Sequence, residues 1–288
     1  MTSAIVILLD GIAYGMVLFI ISVGLTVTMG LMRVVNLAHG GFAMAGGYLA
    51  AVMVVAGVPF IVAVIAATVA AGLLGALCEL TIFRPLYRKG ELAQVLMTFG
   101  LTFVMIAALT AMFGTDIKRL PVPDWLGGLV DLGIRPYPTY RLFLIAVGLI
   151  LALALWLIID RSLYGAKLRA AVDNPRIARA VGIDVNKLFT ITFVGGCALA
   201  GFGGIVGAEM LPLEPFYALR YLVLFLVVVA VGGHGSFKGS FFAALTLGII
   251  DTAGKYIWPE ISAFIMFTLV FVLLLWRPYG LIPPKAAA

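Results

Sequence analysis

The sequence predicts an all-α membrane protein, a polytopic bundle of about eight to ten transmembrane helices with nine as the best count. Of its 288 residues, 64% are hydrophobic and only 11% are charged. An ordinary soluble domain is roughly half apolar and about a quarter charged. A soluble core of this size cannot hide the surplus, so lipid must be the solvent for much of the surface.

The apolar residues form nine runs separated by short polar segments, and a spanning helix needs about 20 such residues. The second and seventh runs are short for a straight span, so eight spans, or ten with broken helices, are alternatives. The start of the chain lacks the basic stretch and cleavage site of a signal peptide, so the first run is expected to be a retained span. The whole chain, 1–288, is expected to be one transmembrane domain. The runs are 4–29, 41–57, 60–83, 92–113, 142–159, 188–210, 219–233, 240–257 and 262–276.

Basic residues between the runs predict the orientation, because cytoplasmic loops carry an excess of Lys and Arg. The turn at 84–89 and the loop 160–187 both carry such an excess, and two runs separate them, so both are expected in the cytoplasm. Counting runs from these segments puts the N-terminus outside and the C-terminus inside. The basic residues are Arg84, Arg88, Lys89, Arg161, Lys167, Arg169, Arg176, Arg179 and Lys187, with Arg277 and Lys285 near the C-terminus.

The other long loop, 114–141, is rich in Pro and is expected outside. Its four basic residues are offset by three acidic ones: Lys118, Arg119, Arg135 and Arg141 against Asp116, Asp124 and Asp131. Membrane topology therefore accounts for the net charge of +6, and nucleic acid is not an expected partner.

Small residues recur at helical spacing in the sixth run. Close backbone approach drives helix association in lipid, and small residues permit it. This stretch is therefore expected to be a helix in the interior of the bundle. Its small residues are Gly195, Gly196, Ala200, Gly201, Gly203, Gly204 and Gly207.

A polar interruption at 33–41 is the first candidate for a substrate pathway. It contains Arg33, Asn36, His39, Gly40 and Gly41. Irregular backbone at membrane depth is tolerated only where protein covers it or it lines a wet cavity, and transporters often place such breaks at binding sites. The alternative is an ordinary turn between helices, with His39 facing the lipid headgroups.

The loop 160–187 contains a second candidate, a short amphipathic helix. Asp173, Asn174 and Pro175 form a helix start, because Asn caps free N–H groups and Pro suits the first turn. Gly182 is a helix stop. The apolar positions between them lie at helical spacing and are Ile177, Ala178 and Val181. Such a helix is either a docking element for a partner protein or a solvated linker.

Ionisable residues within or at the ends of apolar runs are further candidates. They are Asp10, Glu79, Glu209, Asp251 and Lys255. Asp251 and Lys255 are four residues apart on one helix face and are expected to pair. Glu79 is expected to reach the membrane interface near Arg84. Glu209 is a candidate for the substrate pathway.

Residue patterns for catalysis and metal binding are missing from the sequence. The glycine-rich segment 232–239 lacks the Lys and Ser spacing of a phosphate loop and is expected to be a tight turn on the cytoplasmic side. With two His and two Cys, an all-protein metal site is not expected. No catalytic residue is assigned.

Several blocks of the sequence resemble the LivH-type permeases, the membrane subunits of ABC importers for branched-chain and other hydrophobic amino acids. The first block runs from Gly24 through Val35–Gly40 to Tyr48, and the second, 173–183, is similar to the family's coupling loop. The glycines of 195–207 and 232–239 are similar to later blocks. The resemblance covers nearly the whole chain.

This resemblance implies a bacterial inner-membrane importer with several partners. They are a second related permease, two cytoplasmic ATP-binding cassette subunits that dock on the coupling loops, and an extracytoplasmic solute-binding protein. ATP and Mg²⁺ would be bound by the cassette subunits and no cofactor by this chain, which is then not an enzyme.

Alternatives remain open for cargo and mechanism. Urea, amides or aromatic acids are alternative cargoes for the same mechanism. A self-sufficient secondary transporter or channel is a second hypothesis, and the scarcity of carboxylates deep in the runs argues against it. An intramembrane enzyme is a third, and it lacks a nucleophile and base at mid-depth.

Overall fold

Helices make up nearly all regular structure in the computed structural model, which describes residues 2–32, 34–87, 89–131, 133 and 136–282. Arg33, Arg88, Arg135 and Lys285, which belong to the predictions above, lie outside the described residues. Two short strands, β1 (Leu129–Asp131) and β2 (Pro136–Pro138), form an antiparallel hairpin. The helices are α1 (Thr2–Leu25), α2 (His39–Val55), α3 (Phe60–Cys78), α4 (Arg84–Leu86), α5 (Glu91–Phe113), α6 (Thr139–Leu155), α7 (Leu163–Asp173), α8 (Pro175–Ala180), α9 (Val185–Val206), α10 (Tyr217–Arg220), α11 (Leu222–Gly232), α12 (Phe237–Ile257) and α13 (Ser262–Trp276).

Each of the nine predicted apolar runs overlaps one of these helices. Within the described residues, six helical stretches are long and apolar enough to cross a bilayer: Ala4–Gly30, Phe60–Leu86, Glu91–Phe113, Thr139–Arg161, Val185–Val206 and Pro259–Trp276. The second and seventh runs form shorter apolar helices, His39–Val55 and Tyr217–Gly232, as their length indicated. The chain is therefore a polytopic bundle of membrane helices, and the count of nine spans stays a prediction.

Three of the long helices end in π-helical segments: Thr26–Leu31 after α1, Glu79–Phe83 after α3 and Trp156–Arg161 after α6. A π-helical turn inserts an extra residue into the helical ladder and often occurs at functional sites. All three segments contact α7 or α9. The π-helical segments therefore contact the helices that precede and follow the predicted coupling helix.

Helix α9 lies in the interior and packs against α1, α2 and α3. A Cβ atom on Gly204 would lie 2.0 Å from the carbonyl oxygen of Ala43, and one on Gly201 would lie 2.4 Å from Ala71 Cβ. The predicted small-residue face is thus confirmed as a packing surface. Helix α1 packs in the same way against α12, where a Cβ atom on Gly15 would lie 2.8 Å from the carbonyl oxygen of Ala244.

The connecting segments gather at two ends of the bundle. At one, here called the basic end, Arg84 binds Thr190 near the start of α9, and Lys238 pairs with Asp160. The C-terminal segment also lies there, since Leu281 N–H donates to the Val231 carbonyl. The two basic segments therefore share one end, as predicted.

The opposite end holds the first turns of α1 and the Pro-rich loop. Asp10 is hydrogen-bonded by Tyr137 and Tyr256, and Lys118 forms a β-bridge with Leu213. The two ends of the described chain thus lie at opposite ends of the bundle. Which end faces the cytoplasm stays a prediction.

Candidate functional site

Residues 34–38 form an irregular stretch between α1 and α2. Val34, Asn36 and Ala38 are buried, while Val35 and Leu37 are half-buried. The polar interruption is therefore a break in helical structure inside the bundle. His39 is fully buried, so the alternative with this ring among the headgroups is wrong.

A polar stripe on α5 binds the backbone of this stretch. Val35 N–H donates to Gln94 Oε1 at 3.0 Å, and Leu37 N–H donates to Thr98 Oγ1 at 3.2 Å. Thr102 Oγ1 donates to the Leu37 carbonyl at 3.3 Å. Irregular backbone at membrane depth needs such partners, because lipid offers none. Helix α5 therefore stabilises the break.

Asn36 and His39 carry polar atoms without a protein partner. His39 Nε2 lies 2.8 Å from the Ile21 carbonyl oxygen; since a carbonyl only accepts, Nε2 carries the proton and Nδ1 is an acceptor. Among the residues with described side chains, neither His39 Nδ1 nor the two amide atoms of Asn36 have a hydrogen-bond partner. An unpaired buried polar group costs about 1–3 kcal/mol. These atoms can therefore bind a polar group that enters the interior.

The other two predicted pathway residues have different surroundings. A Cβ atom on Gly40 would lie 2.7 Å from the Ala218 carbonyl oxygen, so close packing of α2 against α10 accounts for this glycine. Glu209 is an exposed residue in the turn that follows α9. The described hydrogen bonds do not join Glu209 to Asn36 or His39.

The predicted coupling helix is α8, and its start is capped by Asn174. Asn174 Oδ1 accepts from the N–H groups of Arg176 and Ile177, both at 3.1 Å, and Pro175 occupies the first turn. Gly182 has φ +85°, a left-handed conformation that glycine adopts at helix ends. The predicted start and stop of this helix are confirmed.

The apolar residues of α8 divide between two sides. Ala178 is buried in a small cluster with Leu168 and Val185, which also contains Ala171 and Leu188. Ile177 and Val181 are 62% and 71% exposed and lie one turn apart. The small cluster fixes α8 against α7 and α9, while two apolar side chains stay uncovered.

A hydrogen-bonded network centred on Glu79 joins α3 to α9 at the basic end. The buried Glu79 carboxylate pairs with Arg84 at 3.3 Å and accepts from Thr190 Oγ1 at 3.0 Å and Tyr87 Oη at 3.2 Å. Burial raises the pKa of the Tyr87 phenol, and the Glu79 carboxylate raises it further, so this phenol stays a donor. Arg84 is near Glu79 as predicted, and the carboxylate is buried between helices, while its reach to the membrane interface stays a prediction.

A cavity of about 1010 Å³ lies between this network and α8. Its lining includes Arg84 and Tyr87 from the end of α3, and Asn174, Arg176 and Arg179 from the coupling helix region. The charged residues that line this cavity are therefore three arginines and one acid, Asp173.

The remaining acidic candidates form structural pairs. Asp10 is buried and binds Tyr137, Tyr256 and Arg141, which ties α1 to α6 and α12. Asp251 and Lys255 pair at 2.5 Å, as the spacing predicted. Groups of three or more His, Cys, Asp or Glu residues that could hold a metal ion do not occur within the described ranges.

Two features of the structure were not predicted from the sequence. Gln94, Thr98 and Thr102 recur every four residues in an apolar run, a spacing that indicates one helix face, but their partner segment is not evident from the sequence. The pair Glu214–Arg220, at 2.6 Å, has five residues between its two members and no distinctive motif.

The chain is similar to known proteins over most of its length. The profile of the family described as "Branched-chain amino acid transport system / permease component" matches residues 7–274. The chain is similar to the high-affinity branched-chain amino acid transport system permease protein BraD of Pseudomonas aeruginosa, with 25% identity over 96% of this chain and 94% of the relative. It is similar to LivH of Escherichia coli, with 24% identity over 95% and 93%.

A second type of permease protein also matches. LivM of Escherichia coli is 26% identical over 93% of this chain and 68% of LivM. Among solved structures, PsaBC from Streptococcus pneumoniae in complex with Fab superposes with a TM-score of 0.50 and 17% identity, covering 97% of this chain and 91% of that one. At this identity the likeness shows a shared fold alone.

Proposed function

Because the chain belongs to the family of branched-chain amino acid transport permease components, we propose that it is a membrane-spanning subunit of an ABC importer for branched-chain and other hydrophobic amino acids. It would reside in the bacterial inner membrane with nine spans, the N-terminus outside and the C-terminus in the cytoplasm. The apolar interior suits a cargo with an aliphatic side chain.

The importer would contain further subunits. A second related permease would complete the pathway, and the similarity of this chain to both LivH and LivM supports such a pair. Two cytoplasmic ATP-binding cassette subunits would bind ATP and Mg²⁺, and an extracytoplasmic binding protein would deliver the amino acid.

The observation that carries the proposal is the geometry of α8. The loop 160–187 presents Ile177 and Val181 uncovered on a helix that a cap, a glycine stop and a small apolar cluster fix in place. An exposed apolar pair on a positioned helix suits insertion into a groove of a partner protein. Movement of the cassettes would then reach α9 through α8 and switch the bundle between two packings.

Asn36 and His39 are the proposed polar contacts of the pathway inside the bundle. Their unpaired atoms lie beside an irregular backbone segment, the arrangement that transporters use at binding sites. Gly40 would serve by close packing, and Glu209 would act at the opposite end.

The first test changes the docking face. Ile177→Asp and Val181→Asp are expected to abolish co-purification of the cassette subunits and to lower leucine uptake by the complete importer at least tenfold. Leu163→Asp is the matched control, because Leu163 is an 80% exposed apolar residue of the same loop outside α8. Retention of the cassettes by the Ile177→Asp and Val181→Asp double variant would contradict the proposal.

A second test separates this mechanism from a self-sufficient transporter. The purified chain alone, reconstituted into vesicles, is expected to show no uphill uptake of leucine, urea, amides or aromatic acids. With all partners and ATP inside, leucine, isoleucine and valine are expected to accumulate. Ion-driven accumulation by the chain alone would refute the role as a subunit.

A further inference from the structure

An apolar cavity of about 830 Å³ lies at the end opposite the coupling helix. Its long wall is the outer half of α5, with Phe103, Ala107 and Thr110, and its other wall is formed by Pro215 and Phe216 before α10. Small-molecule sites typically have volumes of about 300–1,000 Å³ and mostly apolar walls with a few polar groups. The cavity therefore has the size and surface of a site for a small apolar group.

An ion pair lies beside this cavity in the same turn of the chain. Glu214 Oε1 and Arg220 Nη1 are 2.6 Å apart, and the side chains are 18% and 59% exposed. Arg220 N–H donates to the Phe216 carbonyl at 2.9 Å, and Tyr217 N–H donates to the Glu214 carbonyl at 3.0 Å. Glu214 and Arg220 thus lie, in sequence, on either side of Pro215 and Phe216, which form this wall of the cavity.

The cavity is linked to the buried polar atoms by the elements that line it. Helix α5 carries the cavity wall in its outer half and the stripe that binds residues 34–38 in its inner half. Helix α10, next to the cavity, contacts Gly40 through Ala218. A molecule in the cavity would therefore contact the same helix that binds the backbone of residues 34–38.

We propose that this cavity and the Glu214–Arg220 pair form an entry site for a zwitterionic amino acid with a branched aliphatic side chain, an inference that rests on the proposed function. The side chain occupies the apolar cavity, the α-carboxylate binds the Arg220 guanidinium, and the α-ammonium binds the Glu214 carboxylate. Arginine suits this role because its five N–H donors can serve Glu214 and the ligand together. One site thus binds the two charged groups and the apolar side chain of the amino acid.

The test uses leucine uptake by the complete importer and reverses the charge pair. Glu214→Arg combined with Arg220→Glu keeps an ion pair but reverses its polarity toward the ligand, and it is expected to lower leucine uptake at least tenfold. Asp160→Lys combined with Lys238→Asp is the matched control, since this exposed pair lies at the basic end, and it is expected to keep wild-type uptake. Wild-type uptake by the first double variant would show a structural pair and overturn the proposal.

Filling the cavity gives an independent arm. Ala107→Trp is expected to raise the KM for leucine at least tenfold. The control is Ala108→Trp, which is expected to leave the KM unchanged, because Ala108 is exposed on α5 and does not line the cavity. Stimulation of ATP hydrolysis by the loaded binding protein should persist in both.

Two further results would overturn the inference in distinguishable ways. Loss of binding-protein stimulation together with uptake in Ala107→Trp and in the charge reversal would identify a protein-docking surface and reject the amino acid site alone. Absence of leucine, isoleucine and valine uptake by the wild-type importer would reject the proposed function and this inference together.

Discussion

Asn174 is the residue on which the position of the coupling helix depends most directly. Its side chain satisfies two N–H groups of the first turn of α8, in a helix of only six residues. Loss of such a cap typically costs about 1 kcal/mol, and so short a helix has few other hydrogen bonds to hold it.

Replacement of the cap should therefore weaken docking without unfolding the bundle. Asn174→Ala is expected to lower co-purification of the cassette subunits several-fold, with an unchanged melting temperature of the membrane domain in detergent. Asn174→Asp should restore docking, because a carboxylate caps equally well. Equal docking by Asn174→Ala and the wild-type protein would show that α8 is held without its cap.

Residues differ in how far the sequence predicts their roles. Asn174, Pro175 and Gly182 were recognisable because capping and left-handed turns depend on neighbours in sequence. The burial of Glu79 was not predicted because one of its partners, Thr190, lies 111 residues away. Asn36 and His39 were identified as candidates, but their burial depends on packing that a single sequence does not encode locally.

At the scale of elements, helix α9 shows how glycine content sets the separation between helices. On one side its glycines touch backbone atoms of α2, and on the other Gly195 has nothing within 4 Å of a Cβ position. The run of small residues predicted an interior helix correctly, but not which of its glycines lie in contact.

The structure makes that distinction testable within one helix. A methyl group at Gly204 would lie 2.0 Å from the Ala43 carbonyl oxygen, so Gly204→Ala must separate α9 from α2, and overpacking of this kind typically costs about 1–3 kcal/mol. Gly204→Ala is expected to lower the melting temperature in detergent and the uptake rate, whereas Gly195→Ala should change neither. Equal melting temperatures for the two variants would show that the α2–α9 contact is looser than described.

The break at residues 34–38 shows how the structure of one segment depends on the helices packed against it. The sequence predicted either a broken helix or a turn, because Asn, His and Gly interrupt an apolar run in both cases. In the structure three side chains of the α5 stripe bind the backbone of this buried, irregular segment. Pairing between α5 and a segment about 60 residues away in sequence follows from the tertiary fold, so a local sequence pattern cannot predict it.

For the whole molecule, the connecting segments divide between the two ends of the bundle as the basic loops predicted. The turn at 84–89, the loop 160–187 and the C-terminal segment share the basic end, and the Pro-rich loop lies at the other. The proposed mechanism requires the basic end in the cytoplasm, because ATP-binding subunits must reach α8 there.

This orientation can be measured with single cysteines. Cys78 and Cys197 are buried and would first be replaced by alanine; Lys167→Cys and Asp116→Cys then place one exposed thiol at each end. A membrane-impermeant maleimide applied to spheroplasts is expected to label Asp116→Cys at once and Lys167→Cys only after permeabilisation, because Lys and Arg are retained on the cytoplasmic side. The reverse pattern would put α8 on the outer face, out of reach of any cytoplasmic ATPase, and the coupling mechanism would then fail whatever the cargo.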